Sequence, residues 1–237
     1  MSLLYQHARE FGIDLTPIQL EQFEQYERLL VEWNEKFNLT SITDYTGIQL
    51  KHFLDSLSAA PIFLRASVNG KNLLDVGAGA GFPGMALAIA LPDLRVTLLE
   101  ATGKKVRFLD EVTRELGLKN VTNVHGRAEE FAHAAKQRER FHFVTARALA
   151  PMPTLVEYAL PFVLVGGMLV AYKAVDAEQE TNAAKRGIEI LGGHVREVVP
   201  VKLADMDDVR QLVVIDKLKA TPKLYPRAGG LPKRKPL

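Results

Sequence analysis

The sequence contains no cysteine among its 237 residues. This absence excludes disulfides, cysteine-ligated zinc, iron–sulfur clusters and a thiol nucleophile. No apolar run approaches the length that spans a bilayer, and residues 1–6 lack the pattern of a signal peptide. Hydrophobic residues make up 47% of the chain and charged residues 24%, as in ordinary globular proteins. We therefore expect a cytoplasmic protein that does not associate with membranes.

Acidic residues are missing from residues 217–237, which contain seven Lys or Arg. Since the whole chain has a net charge of +2, the remainder carries −5. A basic tail on an acidic body is typical of contact with a polyanion, and it is equally typical of a solvated terminus. Charge alone leaves both interpretations open.

The most informative segment is a glycine-rich run within residues 72–84. An apolar strand leads into Asp75-Val-Gly-Ala-Gly-Ala-Gly-Phe-Pro-Gly84, and an apolar, helix-like stretch follows. A strand, a glycine turn and a helix in this order bring the backbone close to a nucleotide-like ligand.

Two ligands compete for this turn. A dinucleotide needs free backbone amides for its pyrophosphate, but Pro83 has no amide hydrogen and Phe82 adds bulk there. S-adenosylmethionine has no phosphate, and its binding site needs one acidic residue near the amino acid end and another near the ribose hydroxyls. Asp75 is placed for its amino acid end, and Glu100, at the end of the second strand, for its ribose hydroxyls. The pattern therefore favours S-adenosylmethionine.

Strands and helices alternate after residue 72, which predicts an α/β fold with a doubly wound, mostly parallel, Rossmann-like sheet. We expect a helix over residues 152–164 in spite of Pro161. The remaining strands are predicted at residues 95–100, 121–124, 141–146 and 168–172, with an antiparallel pair at 195–203 and 211–217.

The N-terminal residues are predicted to form a helical cap. Thr16 and Gln19 form the pattern of a capping box, and an aromatic face that includes Trp33 follows at helical spacing. This spacing favours a buried face over base stacking. His52 and Asp55 lie three residues apart, so we expect a hydrogen bond on a helix surface and no metal site. The chain is thus divided into a cap (1–60), an α/β domain (61–218) and a basic tail (219–237).

Seven runs of the sequence carry a resemblance to a known family. They are residues 33–43, 51–57, 75–84, 126–130, 145–148, 172–174 and 225–227. With these runs the chain resembles the bacterial small-subunit ribosomal RNA guanine-N7 methyltransferases, the RsmG family, over nearly its whole length. The resemblance implies a class I methyltransferase fold. It also implies methyl transfer from S-adenosylmethionine to a guanine in the decoding-region loop of 16S ribosomal RNA, around nucleotide 527.

The resemblance also implies particular site residues and partners. The partner is 16S ribosomal RNA or the small ribosomal subunit, including an assembly intermediate. An RNA contact is expected at Arg227, which lies in one of these runs. From the residues themselves, Lys173 at the end of the fifth strand is expected to meet RNA phosphate, with a solvated lysine as the alternative, and Arg127 is a further phosphate contact. Cofactor contacts are expected at Gly77, Phe82, Glu100, Ala101, Thr102, Ala128, Glu129 and Arg147, joined by Asp75 and Gly79 of the glycine turn.

Guanine N7 carries a free lone pair, so its methylation needs no general base. Arg147 is the candidate catalytic residue. We expect it not to hold the guanine through O6 and N7 together, because that pose would occupy the attacking lone pair. A small-molecule methyltransferase and a non-catalytic, ribosome-associated RNA-binding protein remain as alternatives.

Overall fold

Seven strands form one sheet in the computed structural model, and helices pack against it. The structure describes residues 3–133, 137–203 and 209–237. No helix within these ranges is both long enough and apolar enough to cross a membrane. The strands are β1 (Asn72–Val76), β2 (Arg95–Glu100), β3 (Val121–His125), β4 (Phe141–Arg147), β5 (Val163–Lys173), β6 (Gly193–Val201) and β7 (Arg210–Lys217).

The order of the strands in the sheet is β3-β2-β1-β4-β5-β7-β6. Strands β1 to β5 run parallel, and β7 pairs antiparallel with both β5 and β6. The predicted doubly wound, mostly parallel sheet with an antiparallel pair at its C-terminal end is therefore confirmed. The chain reverses its direction of travel between β1 and β4, which opens a crevice at the carboxyl ends of these two strands.

Helices cover both faces of the sheet. They are α1 (Leu3–Ala8), α2 (Pro17–Phe37), α3 (Tyr45–Gly47), α4 (Asp55–Leu57), α5 (Ala60–Arg65), α6 (Gly84–Ala90), α7 (Gly103–Glu115), α8 (Ala128–Phe131), α9 (Met152–Ala159), α10 (Ala177–Ile190) and α11 (Leu231–Arg234). A π-helix (Ile48–Leu54) joins α3 to α4, and short 3-10 helices follow α1 (Arg9–Phe11) and α9 (Leu160–Phe162).

The N-terminal helices pack against the glycine turn. Thr16 and Gln19 form the predicted capping box at the start of α2. Tyr26 on the same helix is fully buried, and its ring stacks on Phe82 at 5.4 Å between centroids. Trp33 packs on Phe108 of α7, so the structure places it on a packed face, as expected. The cap thus shares its core with the sheet domain.

The region between α9 and β5 differs from the prediction. The helix ends at Ala159, because Pro161 has no amide for a continuing α-helix and lies in the 3-10 turn. Strand β5 begins at Val163, five residues before the predicted start. Phe141 pairs with Val163, but Phe143 pairs with Met168, so the expected turn residues form a bulge inside one long strand.

The segment after β7 is fixed to the body of the protein. The Arg227 guanidinium donates to the Glu157 carboxylate, with Nε to Oε1 at 2.9 Å and Nη2 to Oε2 at 2.6 Å. Glu157 on α9 is fully buried. Arg138 also donates to the Thr221 and Pro222 carbonyls. The exposed cations of the tail therefore project from an anchored backbone.

We predict that Arg227→Met lowers the free energy of unfolding by about 3 kcal/mol, because it leaves the Glu157 carboxylate buried without its cation. Urea unfolding at pH 7 measures this effect. Lys223→Met removes an exposed cation from the same segment and should change stability by less than about 0.5 kcal/mol. Equal stability of the two variants would contradict the anchoring role of Arg227.

Candidate functional site

The glycine turn at the end of β1 forms the floor of the crevice. Gly77 has a φ of +73°, and a Cβ added there would lie 2.6 Å from Leu149 Cδ1. Gly79 has a φ of +62° with open space around it. Only glycine adopts such φ values without strain, and at Gly77 a side chain would also fill the crevice. The turn therefore offers bare backbone to a ligand.

The amides at the end of this turn are already occupied. Gly84, the first residue of α6, donates to Asp75 Oδ2 at 2.9 Å, and Met85 donates to the Gly81 carbonyl at 2.7 Å. Phe82 donates to the Ala78 carbonyl, and Pro83 has no amide hydrogen. These groups are not available to a pyrophosphate, so the turn suits a ligand without phosphate.

Glu100 ties the glycine turn to the loop after β2. Its Oε2 accepts from the Gly79 amide at 2.9 Å, and its Oε1 accepts from the Thr102 amide at 2.8 Å. Each carboxylate oxygen has further lone pairs, so Glu100 retains capacity for ribose hydroxyls.

Asp75 lies beneath the turn and is fully buried. In addition to its bond from Gly84, it accepts from Thr145 Oγ1 on β4 at 3.1 Å. Burial raises the pKa of Asp75 to about 6, although both hydrogen bonds and the nearby Arg147 act in the opposite direction. Both of its oxygens thus serve the protein, and a contact with the amino acid end of the cofactor remains a prediction.

A cavity of about 230 Å³ opens beside the turn at the ends of β1, β2 and β3. It brings together several of the residues predicted from sequence, namely Gly77, Ala101, Arg127, Ala128 and Glu129. Its wall also contains residues that we did not predict, which are Leu149, Tyr158 and Lys233. Asp75 and Glu100 are not among its lining residues. We call this space the nucleoside pocket, because the glycine turn and the segments after β2 and β3, where the sequence predicted the cofactor, meet in it.

A second cavity of about 370 Å³ lies at the ends of β4 and β5. Its charged and aromatic lining comprises Lys51, His52, Asp55, Arg147, Tyr172, Lys173, Glu180 and Arg210. We call it the polar cleft. Sequence reasoning selected Arg147 and Lys173 from this set. The other residues of this set come from three distant parts of the chain, at 51–55, 172–180 and 210, and folding brings them together.

Arg147 connects the polar cleft with the glycine turn. Its Nη1 donates to Asp55 Oδ2 at 2.7 Å and to the Lys51 carbonyl at 3.2 Å. Its guanidinium lies 5.2 Å from the centroid of the Phe82 ring, within the range of a cation–π contact. Phe82 itself is buried among the cap helices, so its side chain supports Arg147.

The predicted hydrogen bond between His52 and Asp55 is wrong. The π-helix has wider turns than an α-helix, so residues three apart on it do not align. His52 Nε2 lies 2.8 Å from Thr40 Oγ1, and its ring stacks on Phe82 at 4.5 Å. Burial, followed by the charge of Arg147, lowers the pKa of His52 to about 4, which keeps the ring neutral near pH 7.

The three predicted RNA contacts lie in different surroundings. Arg127 is exposed at the rim of the nucleoside pocket. Lys173 lines the polar cleft, where its Nζ lies 2.6 Å from Glu180 Oε2. Arg227 holds the buried Glu157, as described above. Of the three, only Arg127 presents an exposed side chain to a polyanion.

A doubly wound sheet with a glycine turn and an acid at the end of β2 is the arrangement of class I S-adenosylmethionine-dependent methyltransferases. Solved structures share this fold. A mutant of MtNAS in complex with S-adenosylmethionine matches with a TM-score of 0.56 and 15% identity, covering 91% of this chain and 78% of that one. TrmN from Thermus thermophilus matches with a TM-score of 0.53 and 16% identity, covering 72% and 53%.

Sequence comparison identifies the family. The family described as rRNA small subunit methyltransferase G matches residues 19–212. Proteins named Ribosomal RNA small subunit methyltransferase G are 47% identical in Lactobacillus johnsonii, over 96% of this chain and 95% of that protein, and 47% in Lachnoclostridium phytofermentans, over 100% and 97%. The chain belongs to this family, which confirms the resemblance seen in the sequence.

We predict that Gly77→Ala weakens binding of S-adenosylmethionine at least tenfold, because the added methyl group fills space beside Leu149. Isothermal titration calorimetry measures the affinity. Gly70→Ala is the matched control, since Gly70 has a similar φ of +68° and nothing lies within 4 Å of its added Cβ. It should bind the cofactor as the wild type does. Equal affinities for both variants would contradict the close approach at Gly77.

The raised pKa of Asp75 predicts a pH dependence of stability. An acid with a raised pKa in the folded state stabilises the fold most at low pH, and the contribution is lost as the pH rises through about 6. From pH 4 to 7 the wild type should therefore lose on the order of 2–3 kcal/mol relative to Asp75→Asn. Urea unfolding across this range tests the prediction. Asp93→Asn, which alters an exposed carboxyl, should run parallel to the wild type.

Proposed function

We propose that this protein methylates N7 of a guanine in the 16S RNA of the small ribosomal subunit, in the decoding-region loop around nucleotide 527. The observation that carries the proposal is the juxtaposition of the nucleoside pocket and the polar cleft across the β1–β4 crevice, in a chain of this family. One space suits a phosphate-free nucleoside. The other, the polar cleft, has a volume and polar lining groups that suit a base. We place this reaction in the cytoplasm.

The methyl donor is S-adenosylmethionine, which supplies an electrophilic methyl group on a sulfonium when it is bound. The backbone at Gly77 would allow its close approach, and Glu100 would accept from its ribose hydroxyls. Ala128 and Glu129, which line the pocket, would hold its adenine. Asp75 acts one step removed, because it holds Gly84 and Thr145 and so fixes the shape of the turn.

The chain positions the reactants and needs no proton acceptor at N7. The neutral His52 is engaged with Thr40 and Phe82, which agrees with a reaction that has no general base. Placing a nucleophile in line with the methyl group is worth about 7–11 kcal/mol in well-oriented systems. We therefore assign most of the rate acceleration to the rigid walls of the crevice.

Arg147 is fixed by groups of the protein. Asp55, the Lys51 carbonyl and the Phe82 ring hold its guanidinium, which supports our expectation that it does not clamp the guanine through both O6 and N7. Positive charge leaves the sulfonium and develops on the purine during the reaction, so a cation in direct contact with N7 would oppose the transfer. In this proposal Arg147 orders the wall between the two spaces.

RNA phosphates are contacted by exposed cations at the rim. Arg127 lies at the rim of the nucleoside pocket, and Lys104 and Arg107 are exposed on α7. Phosphate contacts position an RNA without reading its sequence, and they make affinity fall as salt rises.

Mapping of N7-methylguanosine in ribosomal RNA tests the proposed function. Small subunits from a strain that lacks the gene should miss one N7-methylguanosine, and purified protein with S-adenosylmethionine should restore it. Labelled methyl transfer to the RNA without N7-methylguanosine would contradict the proposed atom. Binding of the cofactor without any transfer to RNA would contradict the proposed substrate.

We predict that Arg147→Ala lowers the single-turnover rate of methyl transfer at least tenfold, because Asp55 and Phe82 lose their common partner. Arg147→Lys should not restore the rate, since an ammonium cannot reproduce the planar contacts. Arg196→Ala removes an ion pair at the far edge of the sheet, with Asp216, and should remain within twofold of the wild type. A single-turnover rate for Arg147→Ala near that of the wild type would contradict the proposed role of Arg147.

A further inference from the structure

Two polar atoms in the polar cleft lie side by side without a hydrogen-bond partner. Asp55 is 3% exposed, and its Oδ2 accepts from Arg147, but its Oδ1 has no partner among the described residues. The Arg210 Nε atom, 3.6 Å from that oxygen, likewise lacks one within the described ranges. The two atoms therefore form an ion pair that is too long for a hydrogen bond, which leaves an acceptor next to a donor with neither hydrogen-bonded.

A missing hydrogen bond is costly for a buried polar group, even where an ion pair remains. Glu180 and Lys173 avoid this cost, because Glu180 accepts from the Met152 amide at 2.7 Å and pairs with Lys173. Among the residues that line the cleft, the buried side-chain atoms without a hydrogen bond belong to Asp55 and Arg210, where a ligand that fills the cleft would satisfy them.

The position of the pair suits the base that reacts. The polar cleft lies at the ends of β4 and β5, on the opposite side of the crevice from the nucleoside pocket. Arg147 bridges from Asp55 to the Phe82 ring of the glycine turn. A purine in the cleft can therefore direct one edge at the crevice and the other at Asp55.

The chemistry of guanine matches this pair. N7 must stay free to attack, so the protein has to recognise the base by its other edge. There, O6 is an acceptor and the adjacent N1–H is a donor. An acceptor beside a donor, as Asp55 Oδ1 lies beside Arg210 Nε, is complementary to these groups. Adenine presents a donor at N6 and an acceptor at N1, which reverses both contacts.

We propose that Asp55 Oδ1 accepts from N1–H of the target guanine, that Arg210 Nε donates to its O6, and that this pair selects guanine. The inference rests on the proposed function. Unstacked bases in RNA loops are commonly recognised on this edge. A site built to hydrogen-bond such groups rejects an analogue that lacks them, because its own buried groups are then unpaired.

Base analogues at the target position test the pair. 2-Aminopurine keeps N7 and the 2-amino group but lacks both O6 and N1–H, whereas inosine keeps N7, O6 and N1–H. We would reconstitute small subunits from ligated RNA with each base and measure kcat/KM for labelled methyl transfer. The wild type should prefer guanine to 2-aminopurine at least tenfold and should methylate inosine within threefold of guanine.

Variants assign the preference to the two residues. In Asp55→Ala the ratio of guanine to 2-aminopurine should fall below threefold, and Arg210→Lys, which keeps the charge but moves the donor, should lower it too. Lys173→Met is the matched control in the same cleft. It should lower kcat/KM for both bases equally and leave the ratio unchanged. Calorimetric binding of S-adenosylmethionine checks that each variant is folded.

The outcomes separate the inference from the proposed function. If the wild type methylates guanine and 2-aminopurine equally, or if Asp55→Ala keeps the ratio of the wild type, the recognition pair is overturned and the activity stands. If the wild type fails to methylate guanine at N7, the proposed function falls and the recognition pair falls with it. Should Asp55→Ala not fold, the ratio measured for Arg210→Lys decides the matter, and a ratio equal to that of the wild type overturns the pair.

Discussion

The carboxylate of Asp75 is the constraint on which the site depends. Its two oxygens join three elements, because Asp75 lies on β1, Gly84 begins α6, and Thr145 lies on β4. Burial opposes the charge of this group, so the fold keeps it at a cost in stability near neutral pH. These hydrogen bonds fix the position of the glycine turn relative to β1 and β4.

The helices of the cap also fix the glycine turn. The Tyr26 hydroxyl donates to the Ala80 carbonyl within the turn, and the ring stacks on Phe82. His52 covers the same ring from the π-helix. The glycine turn is therefore fixed from below by the sheet and from the side by the cap, which leaves its backbone exposed only toward the crevice.

Local patterns predicted the elements well, and long-range partners escaped them. The bounds of β2 follow from a short apolar run that ends in an acid, and its two ends coincide with the prediction. Asp55 and Arg210 are far apart in the chain, and a 3.6-residue period conceals the π-helix that ends immediately before Asp55. Arg227 was expected to contact RNA. No local pattern in the sequence reveals that Glu157 is its buried partner. For Asp55, the signal available in the sequence was the presence of polar residues within the otherwise apolar run 52–57.

The contacts of Arg147 link two binding events. Its guanidinium rests on a ring of the glycine turn and also holds a carboxylate in the polar cleft. A ligand that moved this side chain in one space would change the free energy of binding in the other. Thermodynamic linkage makes such an effect reciprocal, so the donor and the RNA would alter one another's affinity by the same factor. This link would run through a single side chain and would need no movement of a domain.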